Sequence, residues 1–313
     1  MRMNQVNNTS TDETRGILAS IIASMGFALL PAYVTFQPDV AGIITDVDMG
    51  NWLAGQRVMW GSILLLLGLT LFGRLPTFWS FFSQWRLWPR FMLSAMLIAP
   101  QLWVFVWAPL QGETLSVALG YFCLPLTLAA TAHFVYKERI TRQQLIACVI
   151  AACGVAYAYA MAEGVSWIVF LICFGYPVYF MFRRQYNISS DVSFSLENLF
   201  LLPFALIGMA LIYPMESWGA IAPNAWLYYI GLAFTGIIPI ILFFYASQQL
   251  PLTLFGLLGY LEPALVFCVA LILGERIALI QWPTYLAIML ALAIVAFEQF
   301  TMRRSSLFSR PKL

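Results

Sequence analysis

The chain has 313 residues, of which 62% are hydrophobic and only 10% charged, with a mean hydropathy of +0.83 and a formal net charge of +2. A soluble domain carries about a quarter of its residues as charges, so a fold whose surface faces water is excluded. The composition predicts an all-α membrane protein that crosses the bilayer many times.

Residues 1–15 read as a polar cytoplasmic tail, with no short apolar core and cleavage site of a signal peptide. Ten apolar runs of spanning length follow, at about 16–37, 51–73, 90–110, 114–136, 142–162, 164–184, 194–214, 224–247, 251–274 and 279–300. They are too long and too continuous for the alternating strands of a barrel. A basic cytoplasmic tail, 301–313, closes the chain. With the N-terminus in the cytoplasm, 14 of the 16 Lys and Arg residues fall on the cytoplasmic side, which orients both termini inward across a bacterial inner membrane. The five cysteines all fall within spans and read as packing residues.

Taken along the chain, the spans carry few groups capable of chemistry. Span 1 has Pro31 and Tyr33, and span 2 has Arg57 about two turns in. Span 3 has Pro100, Gln101, Trp103, Trp107 and Pro109. Span 4 has Tyr121, Pro125 and the only histidine, His133, and is followed by Glu138-Arg139-Ile140. Span 5 is rich in small residues, which favours close helix packing. Span 6 has Pro177 and Tyr179, span 7 Glu197, span 8 Pro239, span 9 Tyr260, Glu262 and Pro263, and span 10 Glu298. A second Glu-Arg-Ile, 275–277, follows span 9. Because five spans separate the two copies, they predict two five-helix repeats of opposite topology, residues 16–162 and 164–300.

Prolines recur in corresponding spans: Pro31 with Pro177, Pro100 with Pro239, Pro125 with Pro263. Each frees the carbonyl four residues back, and freed backbone at membrane depth must pack on protein or line a wet cavity. These six prolines are therefore expected to kink or gate spans 1, 3, 4, 6, 8 and 9 around a central cavity, with spans 5 and 10 peripheral. Tyr33, Arg57, Gln101, Trp103, Trp107, Tyr121, Tyr179 and Tyr260 are the candidate substrate-binding residues. For Arg57 an anionic substrate group and a snorkelling or capping role weigh equally; for any single aromatic, packing is the commoner role. Glu262 and Glu197 are the candidate proton-coupling carboxylates, with a structural acid as the alternative. Glu298 reads as an interfacial acid, and His133 as structural.

Neither lysine ends a phosphate-binding loop, one histidine excludes a His-Glu-x-x-His zinc motif, and no metal cluster is visible, so neither a cofactor nor a metal is expected. The expected partners are a small-molecule substrate, membrane lipid, and a proton or counter-substrate; nothing points to nucleic acid. The leading expectation is a non-ATP secondary transporter of small organic metabolites or drug-like solutes. A membrane-embedded scaffold or sensor subunit, or an enzyme acting on lipids, is the alternative.

Several stretches carry a family resemblance: Pro31-Ala32-Tyr33, Arg57–Trp60, Trp103–Ala108, Leu119–Leu126, Glu138–Ile140, Glu197–Pro203 and the Gly259–Pro263 region. Over roughly residues 15–302 the chain resembles the RarD permeases of the EamA group, in the drug/metabolite transporter superfamily. The resemblance implies ten helices in two inverted halves, a central substrate path and a chloramphenicol-sensitivity label. The chain departs from that pattern at Phe27, Gln56, Leu124, Lys137 and Glu262, where the family has Trp, His, Asn, Gly and a small residue.

Overall fold

In a computed structural model, the structure describes residues 2–34, 46–161, 166–186, 188–272 and 279–308. The second Glu-Arg-Ile, at 275–277, lies outside them, as do the side chains of Pro31 and Pro109. The described residues are helical: α1 (Arg2–Val34), α2 (Asp46–Leu71), α3 (Leu75–Phe82), α4 (Trp88–Leu110), α5 (Thr114–Phe134), α6 (Arg142–Ala160), α7 (Trp167–Arg183), α8 (Ser190–Ile212), α9 (Pro223–Gln249), α10 (Leu252–Leu258), α11 (Leu261–Ile272) and α12 (Trp282–Phe308). Among them, eight helices are long and apolar enough to cross a membrane. The chain is a multi-pass membrane protein.

Eight of the ten expected spans are those helices. The sixth is the shorter α7, and the ninth is divided into α10 and α11. Two boundaries differ from the sequence reading. Helix α1 begins at Arg2 and α12 runs to Phe308, so the residues read as polar tails continue the adjoining helices. Once a helix is nucleated, each added residue gains a backbone bond at low cost. The short α3 was not foreseen, because eight residues are too few to set a hydrophobic period. It buries Phe78 among Leu69, Phe91, Val192 and Leu196 and leaves Trp79 exposed.

The helices pack side by side in one bundle. Helix α1 lies against α9 and α11, α2 against α4, α8 and α9, and α4 against α7 and α8. Helix α5 packs on α6, α7 and α10, and α6 on α12. Glycines set the closest approaches. A Cβ on Gly120 would stand 2.8 Å from Ile172 of α7, and one on Gly256 would stand 2.9 Å from Leu128 of α5.

The prolines act differently from one another. Pro125, Pro177 and Pro239 lie inside α5, α7 and α9, and Pro100 inside α4, without ending those helices. The carbonyl freed by Pro177 belongs to Cys173, and Thr127 of α5 donates to it at 2.6 Å. Only at Pro263 does the helix break. Gly259 and Tyr260 form a turn, and the carbonyl of Gly259 accepts instead from the Glu262 amide at 3.3 Å. Glu262 consequently sits in the first turn of α11.

Glu138 ends the α5 segment and caps a different helix. Its carboxylate accepts from the Leu252 and Thr253 amides at 2.9 and 3.0 Å, and from the Thr253 hydroxyl at 3.0 Å. These are unpaired donors at the N-terminus of α10, where negative charge is favoured. Lys137 turns the chain into this position with φ of 56°, the left-handed region that favours glycine. Lys137 stands where the resembling family has Gly. Replacing it, Lys137→Gly, is expected to stabilise the protein by ~0.5–1 kcal/mol, measured as a higher thermal midpoint in detergent.

Candidate functional site

A cavity of about 520 Å³ lies between α2, α4, α8 and α9. Its wall is mostly Ala, Gly, Leu, Ile, Val, Met and Phe, with Asn51, Arg57, Trp103 and Asn198 as its polar members. Two wall residues of α8, Phe204 and Leu211, are 59% and 83% exposed, so the cavity reaches the protein surface along that helix. A second, smaller cavity of about 40 Å³ adjoins it, bounded by Arg57, Tyr121, Tyr176, Glu262 and the prolines Pro125 and Pro263, among others. Arg57, Leu102 and Ile240 line both.

The expectation that spans 1, 3, 4, 6, 8 and 9 would enclose the centre describes the small cavity, to which span 2 also contributes. The larger cavity differs: it draws on spans 2 and 7, which carry no proline of the paired set. Sequence reasoning followed kinks, whereas small residues open the space. Gly55, Gly208 and Gly236 line it directly. No lining residue of either cavity comes from α6 or α12.

In the small cavity, Tyr121 and Tyr176 place their hydroxyls 3.3 Å apart. This pair lies within electrostatic reach of both Arg57 and Glu262. Arg57 and Glu262 are not ion-paired with each other. Arg57 lies under Gly236 of α9, where a Cβ would come within 2.8 Å of its Nη2, and 5.9 Å from the Phe105 ring. Its Nη1 is buried without an acceptor. Tyr176 was not singled out in the sequence; its place one residue before Pro177 was the available signal.

The other candidates are placed as follows. Trp103 lines the large cavity, donates to Asn51 Oδ1 at 2.7 Å and stacks on Trp107 at 4.8 Å. Trp107 is behind it, packed on the backbone of Gly50. Tyr33 stacks on Tyr228 and donates to the Tyr228 carbonyl at 3.1 Å, tying α1 to α9. Gln101 is buried and donates to the Leu171 carbonyl at 3.0 Å, with Gly175 of α7 leaving it room. Tyr260 is buried at the break between α10 and α11, its hydroxyl without a partner. Tyr33, Gln101, Trp107, Tyr179, Tyr260 and Glu197 line neither cavity.

Glu197 belongs to a closed polar cluster at the end of the bundle where α7 finishes and α8 begins. Ser94 donates to its Oε1 at 2.6 Å, Tyr179 to Oε2 at 2.8 Å, and Arg183 lies 3.4 Å from Oε2. Arg183, counted with the loop bases in the sequence, is only 3% exposed and also hydrogen-bonds Tyr179. At the same end Arg74 pairs with Asp191 at 3.0 Å. There too Arg184 pairs with Glu138 at 3.6 Å and donates to the carbonyls of Ser247 and Leu250. Glu298, read as an interfacial acid, is 1% exposed and accepts from Thr141 at 2.5 Å. The His133 ring lies 3.3 Å from the Glu138 carbonyl oxygen.

No family model matches the chain. It is similar to the chloramphenicol-sensitive protein RarD of Pseudomonas aeruginosa, with 34% identity over 299 residues, covering 93% of this chain and 96% of that protein. The chain belongs to the RarD family. An uncharacterized transporter of Haemophilus influenzae is 31% identical, with 91% of this chain and 94% of that protein covered. Protein RarD of Escherichia coli is 26% identical, with coverages of 93% and 97%. The match to RarD proteins therefore runs over nearly the whole length on both sides. A solved crystal structure shares the fold with a TM-score of 0.64 and 14% identity, covering 90% of this chain. As a RarD-type permease, the chain stands in the EamA group of drug/metabolite transporters.

Proposed function

We propose that this RarD-family protein is a secondary transporter of small organic solutes. It works by alternating access between two inverted five-helix halves, 16–162 and 164–300, with both termini in the cytoplasm of a bacterial inner membrane. The observation that carries this reading is the packing pattern. Let the ten spans be exchanged five for five, so that α1 takes the place of α7, α2 of α8, α4 of α9, α5 of α10–α11 and α6 of α12. The contact of α1 with α9 then becomes that of α7 with α4, and α1 with α11 becomes α7 with α5. Likewise α2 with α9 becomes α8 with α4, while the α2–α8, α5–α10 and α6–α12 contacts map onto themselves. The sequence supports the same exchange, since Thr114-Leu115 with Leu119-Gly120-Tyr121 answers Thr253-Leu254 with Leu258-Gly259-Tyr260.

The cavity lies at the centre of this pattern, as a carrier's site should. At the end bearing most of the arginines the halves are tied by polar pairs, Arg74 to Asp191, Ser94 to Glu197, Glu138 to Arg184 and α10, and Thr141 to Glu298. At the other end they are tied by aromatic contacts, Tyr33 to Tyr228 and Trp52 to Trp218. By the charge rule the end bearing the arginines is the cytoplasmic one. Arg57, Trp103 and Tyr121 form the substrate path. Glu262 couples it to protons, held at a helix start that favours its charge and in a buried place that opposes it. Tyr33, Gln101, Trp107, Tyr179, Tyr260 and Glu197 hold helices together instead.

The test is counterflow in proteoliposomes containing only the purified protein, run with labelled monocarboxylates, amino acids, nucleosides and chloramphenicol. Saturable uptake that is accelerated by unlabelled solute inside is expected for at least one class. Absence of saturable uptake across the panel overturns the transport reading and favours a scaffold or sensor.

A further inference from the structure

We infer that the cavity takes amphipathic organic monoanions, with a carboxylate on Arg57 and the apolar body along α8. This inference deepens the transport reading and rests on it only for the movement of the solute, not for its binding.

Among the described residues, Arg57 is the only Lys, Arg or His that lines either cavity. Its Nη1 is a buried donor with no acceptor in the protein, and no carboxylate lies within ion-pair distance. A buried guanidinium donor left without an acceptor is unfavourable. The protein could have avoided that cost with a neutral side chain, so the missing partner belongs to the ligand. A single planar fork fits one carboxylate in a bidentate pair. A dianionic phosphate would call for more positive charge than these walls supply.

The rest of the wall fixes the other end of the solute. Asn51 and Asn198 use their side-chain oxygens within the protein, accepting from Trp103 at 2.7 Å and from Ser62 at 3.3 Å. The rest of the wall is apolar and reaches the surface past Phe204 and Leu211. Among the described residues no acid lines the large cavity, so an ammonium group has no counter-charge from them there. Gly236 keeps space for the guanidinium, which makes it a positioning residue.

Binding to the purified protein in detergent is measured by calorimetry with phenylacetate, 3-phenylpropionate and 4-phenylbutyrate. Neutral 3-phenylpropionamide and cationic 3-phenylpropylamine serve as controls. The acids should bind about tenfold or more tighter than the amide, the size of one charge-assisted pair, and should tighten with each methylene. Arg57→Gln should remove the preference for acid, and Arg57→Lys should keep part of it. Gly236→Ala, which crowds Nη2, should weaken the acids and spare the amide; this variant keeps the question open to experiment if Arg57→Gln does not fold. Equal binding of acid and amide, tighter binding of the amine, or an unchanged preference in Arg57→Gln overturns the inference. So does chloride that competes fully while chain length has no effect, since that marks a simple anion site. If the acids bind but neither they nor any solute of the transport panel is carried in proteoliposomes, the transport reading fails and this one stands. Saturable flux of neutral solutes with no binding of acids gives the reverse.

Discussion

Glu262→Gln is expected to abolish uptake driven by a proton gradient while leaving counterflow intact. The carboxylate stands in the small cavity, beside the Tyr121–Tyr176 pair and close to the large one. A carrier that cycles with a proton must load and unload that proton to return empty, whereas exchange of solute for solute bypasses the empty return. The amide keeps the shape and hydrogen-bonding capacity of the protonated acid but cannot ionise. The measurement compares pH-jump uptake with counterflow in the same proteoliposomes. Driven uptake that persists at the parent rate rules out Glu262 as the coupling group. Loss of both modes assigns it to binding or folding instead.

Arg183→Met is expected to produce the largest loss of stability, ~3–5 kcal/mol, because it strands a buried carboxylate. Arg183 and Glu197 are 3% and 1% exposed, and their pair is closed by Tyr179 and Ser94. Replacing both partners at once, Arg183→Met with Glu197→Leu, should recover most of the loss, since neither charge is then left buried and alone. Thermal unfolding in detergent reads both. A single variant as stable as the parent removes the cluster from the set of structural anchors.

The membrane character, the helical runs and the groups at the centre were legible in the sequence because they are matters of composition and depth. Arg57, Tyr121, Glu262, Pro125 and Pro263 do meet at the small cavity. The reading of Glu197 as a coupling acid depended on its type alone. What closes its environment is Arg183, fourteen residues earlier and brought near by the turn from α7 to α8, which no local pattern announces. The larger cavity escaped for a similar reason. Space between four helices depends on which small residues face one another, and a single sequence gives the residues without their facing. Tyr33, Gln101 and Tyr179 illustrate the same limit from the other side. A polar atom on an apolar helix looks like a ligand group until its partner on the next helix is known, here Tyr228, Leu171 and Glu197.

The break between α10 and α11 has a thermodynamic consequence. Glu262 lies in the first turn after it, so the field felt by the carboxylate depends on the angle of that joint. Because Glu262 moves with α11, a charged carboxylate favours the angle that turns the carbonyl end of α10 away from it, and a neutral one has less preference. By linkage, the joint angle must then change the proton affinity by the same free energy with which the proton changes the angle. Helix α5 runs unbroken past Tyr121, so of the two helices matched in the proposed repeat only one has this joint. The coupling would be carried on one arm of the molecule, with the other acting as its fixed reference.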